Sequence, residues 1–168
     1  MLEVLRLETV MERLVVETES FAEVEEGFRA ELSDARQHGI VAFKSIAAYR
    51  GGLQVELRRR DEAQRSYDKV KTQAQPDGAL RLSDLPLLEY LLRIALEEAA
   101  RQALPVQFHV GFGDSDVDLR TANPLQLQPL IRDPALQDVP FVLLHNYPFV
   151  REAGYLLANA VRLHGRFP

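Results

Sequence analysis

The stretch Gly39-Ile40-Val41-Ala42-Phe43-Lys44-Ser45 decides the fold class. Before it, apolar residues recur at helical spacing; here a glycine stops the helix and four consecutive apolar residues follow, ending at a lysine and a serine. Such a run reads as a strand buried on both faces, the habit of a parallel sheet. Two more strands follow: Val106-Gln107-Phe108-His109-Val110, after Pro105 ends a helix, and Val139-Pro140-Phe141-Val142-Leu143-Leu144, which ends at His145.

Helical periodicity fills the intervals. Residues 2–16 set Leu7, Val10, Met11, Leu14 and Val15 on one stripe, which predicts an opening amphipathic helix. A second helix starts at Ser20, whose spacing to Glu23 is that of a capping box, and turns Phe21, Val24, Phe28, Leu32 and Ala35 inward. Residues 53–73 read as a charged helix and Gln75-Pro76-Asp77-Gly78 as a turn. The next helix is capped by Ser83 or Asp84, has Pro86 in its first turn, and carries Leu88, Leu91, Leu92, Ala95, Leu96 and Ala99 on a broad apolar face. Helical stretches are also expected near 124–131 and over 150–161. Helices between short buried strands give an α/β fold with a parallel sheet and right-handed crossovers.

The 168 residues carry a net charge of −5 and no cysteine. The missing cysteine rules out a disulfide scaffold, a thiolate zinc site and a cysteine nucleophile, and fits a reducing compartment. No run approaches the ~18 apolar residues of a membrane span. The start, MLEVLRLETVMERL, is unlike a signal peptide because Glu3, Glu8 and Glu12 interrupt it. The expectation is a cytoplasmic protein with no membrane partner, and the acidic balance offers no general attraction for nucleic acid.

In parallel α/β folds the chemistry gathers at the C-terminal ends of the strands. Those ends carry Lys44, His109 and His145. Two imidazoles on neighbouring strands suit part of a divalent-metal site, or else are buried histidines bonded to carbonyls. Lys44 can act as base or electrophile, can be carboxylated to bridge two metals, or can extend its ammonium to a carboxylate. Arg50, Arg120 and Arg151 follow strand ends and suit either a substrate carboxylate or a surface ion pair, whereas Arg58, Arg59 and Arg60 read as surface ion pairs. His38 suits a helix C-terminus, and His164 has no supporting context.

Asp114-Ser115-Asp116-Val117-Asp118 opens like a calcium loop but has Leu119 where glycine is needed and Leu125 where glutamate is needed. Gly111-Phe112-Gly113 lacks the remaining residues of a phosphate loop and reads as a tight loop over the rim, with Asp114 placed to orient His109 or touch a ligand.

Three segments go further together. Lys44-Ser45-Ile46-Ala47-Ala48-Tyr49-Arg50 with Gly52-Leu53, then Phe108-His109 and Gly111-Phe112-Gly113-Asp114 through Asp118-Leu119-Arg120 and Ala122-Asn123-Pro124, then Leu143-Leu144-His145 with Tyr147-Pro148-Phe149 and Arg151-Glu152-Ala153-Gly154-Tyr155-Leu156, resemble the metal-dependent amidohydrolase family. The branch most like it is also found fused to glutamine-synthetase-like domains. The resemblance implies a partial (β/α)8 TIM barrel containing the fourth to sixth strands. It would form one domain over 1–168, with a helical lead-in at 1–39, strand-helix units at 40–158 and a divergent tail at 159–168.

The resemblance also implies His109 as a metal ligand, His145 as a metal ligand or catalytic group, and Lys44 at a position that is a carboxylated ligand in some branches. Tyr49, Arg50, Asp114, Arg120 and Arg151 would stand on the substrate side. The cofactor would be a divalent metal, zinc or else manganese, and the reaction hydrolysis of an amide-type C–N bond in a small molecule. The family's first-strand His-x-His pair and last-strand Asp have no counterpart here, and a complete barrel takes about 250 residues. The expectation is therefore a central fragment, inactive alone and able to lack the metal. A different class of function is a non-catalytic half-barrel that associates with itself or a complementing chain through open sheet edges. A nucleotide-binding sheet would need a glycine fingerprint that is missing.

Overall fold

The computed structural model describes residues 2–73 and 79–159. Four parallel strands lie side by side in chain order: β1 (Glu3–Arg6), β2 (Ile40–Ser45), β3 (Val106–Val110) and β4 (Phe141–His145). The helices are α1 (Leu7–Glu17), α2 (Phe21–Ser33), α3 (Arg60–Lys71), α4 (Leu85–Gln102), the single-turn α5 (Gln128–Ile131) and α6 (Val150–Asn159). Each connection advances one strand in the same direction, so crossovers of one hand stack their helices on one face. Accordingly α1, α2, α3 and α4 pack on one another.

Register sorts the strand side chains into rows. Phe43, Val106 and Phe141 align, as do Lys44, Gln107 and Val142, and then Ser45, Phe108 and Leu143. Because side chains alternate along a strand, the first and third rows share a face. That face meets the helices: Phe43, Val106, Phe108 and Phe141 belong to the main core, and Leu143 packs against it. Met11, Phe21, Phe28, Leu91 and Leu92 fill the helix layer without measurable exposure. The middle row points to the other face, where Arg6 stands opposite Lys44.

Local chemistry sets several boundaries. Ser20 Oγ accepts the Glu23 N–H at 3.3 Å while Glu23 Oε2 accepts the Ser20 N–H, the reciprocal bonding the sequence suggests. Gly39 takes φ 84°, a left-handed turn that releases the chain into β2. Asp84 is the N-cap of α4, but its carboxylate accepts from Ser66 Oγ and Lys69 Nζ instead of capping.

Three expectations need correction. The opening helix starts at Leu7, because Glu3–Arg6 forms a strand whose backbone partners come from β2; four residues are too few for periodicity to reveal it. The helix expected over 53–73 starts only at Arg60. Gly52 sits at φ 109°, the Leu53 N–H donates to the Thr121 carbonyl at 2.9 Å, and Arg58 bonds the buried Glu89 at 2.6 Å as well as the exposed Glu56 at 3.0 Å. The third run pairs from Phe141, since Pro140 has no N–H; its carbonyl accepts from Val106 at 2.9 Å. The turn at 75–78 and the tail at 160–168, with His164, lie outside the described residues. No helix among the described residues is long and apolar enough to cross a membrane.

Phe28→Ala should lower unfolding free energy by about 3–5 kcal/mol, read by urea denaturation followed by circular dichroism. A loss below about 1 kcal/mol, the usual size of a capping effect, would show that this helix layer is not the core.

Candidate functional site

A cavity of about 700 Å3 opens at the C-terminal rim of the sheet. Lys44, Tyr49, Arg50, His109, Asp114 and His145 all line it, so the three strand ends converge as the sequence suggests. Arg6, Arg81 and Gly113 line it as well. Arg120 lies elsewhere, 89% exposed and paired with Asp118, and Arg151 is on an exposed side of α6, outside the lining.

His109 comes two residues after Gln107 and shares its face by simple alternation. His145 reaches the same place differently. Its register partner is Val110, so a regular strand would turn it toward the helices. Instead His145 takes φ 73° and Asn146 φ 62°, and the His145 ring lies 4.6 Å from that of His109, centroid to centroid. Two left-handed residues with side chains cost on the order of 1–3 kcal/mol each, so neighbouring bonds must hold the turn. The Asn146 N–H donates to the Leu144 carbonyl and Asn146 Nδ2 to the Leu143 carbonyl, both at 3.0 Å.

Tyr49 also packs against His109, with ring centroids 4.5 Å apart, and its hydroxyl accepts the Asp114 N–H at 3.1 Å. Gly113 makes this packing possible. A Cβ there would collide with the Tyr49 hydroxyl and come within 2.7 Å of His109 Nε2.

His109 is 6% exposed, and its Nε2 is buried with no hydrogen-bond partner. Burial holds its pKa below the usual imidazole value, helped by the charges of His145 and Lys44 and opposed by the Phe112 backbone and Asp114. A neutral ring with an unused nitrogen is the form that binds metal or accepts a proton. Arg50 is less free: its guanidinium donates to Glu12 at 2.7 Å, and the same Glu12 oxygen accepts the Leu82 N–H. Arg81 is likewise engaged, donating to the Tyr49 carbonyl and to Asp116, each at 2.8 Å.

Glu8 is a buried residue that sequence reasoning missed. At the start of α1, its Oε1 accepts from Ser45 Oγ at 2.7 Å and from the Ile46 N–H at 3.0 Å, while Oε2 has no partner. It ties the end of β1 to the segment directly after Lys44. Burial pushes its pKa up, against these hydrogen bonds and Arg50. Arg6 and Glu8 were hidden because residues 2–16 read as continuous helix; a carboxylate inside an apolar stripe was the available signal.

The two histidines fit part of a divalent-metal ligand set, with one buried orphan nitrogen. Among the described residues no group of three His, Cys, Asp or Glu converges to hold an ion, whereas a catalytic zinc takes three protein ligands.

No family model matches the chain. In fold and sequence it is similar to a crystal structure of a "putative metal-dependent hydrolase" from Lactobacillus casei, at TM-score 0.87 and 38% identity over 94% of this chain. It is 39% identical over 139 residues, 77% of this chain, to Protein fluG of Emericella nidulans. The chain spans 41% of the former and 16% of the latter. The likeness thus supports a metal-dependent-hydrolase-like fold over almost the whole chain, while each relative extends well beyond it.

Two titrations follow. By imidazole NMR, His109 should titrate below the ordinary histidine range, and Lys44→Ala should raise it by removing a like charge; an unchanged value would place Lys44 out of electrostatic reach. For Glu8 the folded pKa is raised, so its favourable contribution is complete below the ordinary carboxyl range and is lost as pH rises through the folded value. Glu8→Gln, which keeps the acceptor oxygen, should gain stability relative to the unmodified protein between pH 4 and pH 8 in urea melts. A constant difference would mean that Glu8 does not change charge there.

Proposed function

We propose that this chain is the central part of an amidohydrolase-type, metal-dependent hydrolase acting on an amide-type C–N bond of a small molecule, and that the chain alone is inactive. One observation carries the reading: His109 and His145 meet at the rim of a parallel sheet with a buried, unpartnered Nε2. The sequential strand order favours four consecutive strands of a (β/α)8 barrel, which adds β1 as the third to the fourth, fifth and sixth. The likeness to the Lactobacillus casei protein points the same way.

His109 and His145 would hold the metal, zinc or manganese, together with ligands from outside the described residues. A bound divalent ion supplies Lewis acidity and brings the pKa of water close to neutrality. The chain's own residues do the rest. His109 stays neutral through burial, and Tyr49 with Gly113 fixes its ring. His145 is either that second ligand or, if it leaves the metal to other ligands, the group that takes or returns a proton at the reacting atom. Lys44 makes no ion pair among the described residues and lines the cavity, so it faces the substrate as a cation. Arg50, fixed by Glu12, and Asp114 border the substrate space. Nucleic acid and membrane have no part in this reading.

Zinc titration by equilibrium dialysis should detect binding that His109→Ala and His145→Ala each weaken at least about tenfold, as the loss of one of few ligands requires. Unchanged binding in both variants would remove the ligand assignment. Zinc-loaded chain should not hydrolyse small amides; robust turnover would overturn the inactivity.

The two outer strands favour a second reading, self-association of a non-catalytic half-barrel. Among the described residues β1 and β4 each pair on one side only. Sedimentation at micromolar concentration should then show dimers or larger species, and a clean monomer would dismiss it.

A further inference from the structure

The protein is acidic as a whole, with a net charge of −5, yet its rim cavity is lined by Arg6, Lys44, Arg50 and Arg81 against Asp114 and Asp116. Two of those cations are already neutralised. Arg50 pairs with Glu12 and Arg81 with Asp116. Arg6 and Lys44 make no ion pair among the described residues. They are direct register partners on β1 and β2 and point to the same face. Like charges opposed across neighbouring strands destabilise a sheet unless something lies between them. Arg6 is held in place as well: its Nε donates to Thr9 Oγ1 at 2.7 Å, which leaves the terminal guanidinium nitrogens free to donate together.

We infer that Arg6 and Lys44 form an oxyanion subsite that takes a carboxylate or phosphate group of the small-molecule ligand, beside the two histidines. As a statement about substrate class, this rests on the hydrolase reading above; as a statement about binding, it rests on the cation pair alone. A forked guanidinium and an ammonium on one face can share the two oxygens of one group, and the bound anion cancels the repulsion between them. The positive lining also concentrates anionic ligands at the rim despite the protein's overall charge.

The test uses metal-free protein, with inorganic phosphate in one arm and succinate in the other, followed by amide NMR. At least one anion should bind saturably with shifts at Arg6 and Lys44. Arg6→Gln and Lys44→Gln should each weaken that binding about tenfold, the loss of one charge-assisted contact. Arg120→Gln, which lies outside the cavity, should leave it unchanged, and Arg6→Lys should recover part of it. Saturation by neither anion, or an affinity in both Gln variants equal to that of the unmodified protein, overturns the inference. So does a carbamate signal on Lys44 in protein supplied with carbon-13 bicarbonate. Zinc binding measured on the unmodified protein separates the two proposals: no anion binding with zinc bound refutes only the subsite, and anion binding without zinc binding refutes only the histidine ligands.

Discussion

The parallel register of the four strands is the constraint on which the rim depends. It sets Arg6 opposite Lys44, then Gln107 and Val142 in the same row, and it assigns alternate residues to the helix layer. Phe43, Val106, Phe108 and Phe141 anchor the sheet to that layer, so the opposite face is free to carry polar groups. A slip of one residue in β2 would bury Lys44 among the helices and turn Phe43 into the cavity. Glu8 reinforces this register with two hydrogen bonds from the segment just after Lys44.

Charge is distributed with equal economy of means. Arg50 and Arg81 are immobilised by Glu12 and Asp116, which shapes the cavity wall and leaves little of their charge for a ligand. Arg6 and Lys44 keep theirs. The Lys44 charge, which makes no ion pair among the described residues, adds to burial and His145 in lowering the His109 pKa. One cation therefore serves both the imidazole and the proposed oxyanion subsite.

Much of this was legible in the residues themselves. The apolar run at 40–43 and the segment 106–110 after Pro105 located β2 and β3, and Ser20 with Glu23 located the start of α2, because local hydrogen bonding and periodicity suffice for both. That Lys44, His109 and His145 stand at three strand ends was legible as well. β1 was not legible, since an edge strand of four residues has its partners in β2, more than thirty residues away. With β1 went Arg6 and Glu8. The fates of the arginines were equally hidden: nothing local distinguishes Arg50, held by Glu12, from Arg120, which bonds its neighbour Asp118 in solvent.

The amino-acid sequence by itself determined the α/β class, the starts of α2 and α4, and the residue types presented at three strand ends, because these depend on short-range sterics and on burial patterns. Only the tertiary structure decided which side chains share one cavity, which cations keep their charge and which way His145 faces. Those outcomes depend on register between distant strands, on a left-handed turn at His145 and Asn146, and on carboxylates at Glu8 and Glu12 that reach across from α1.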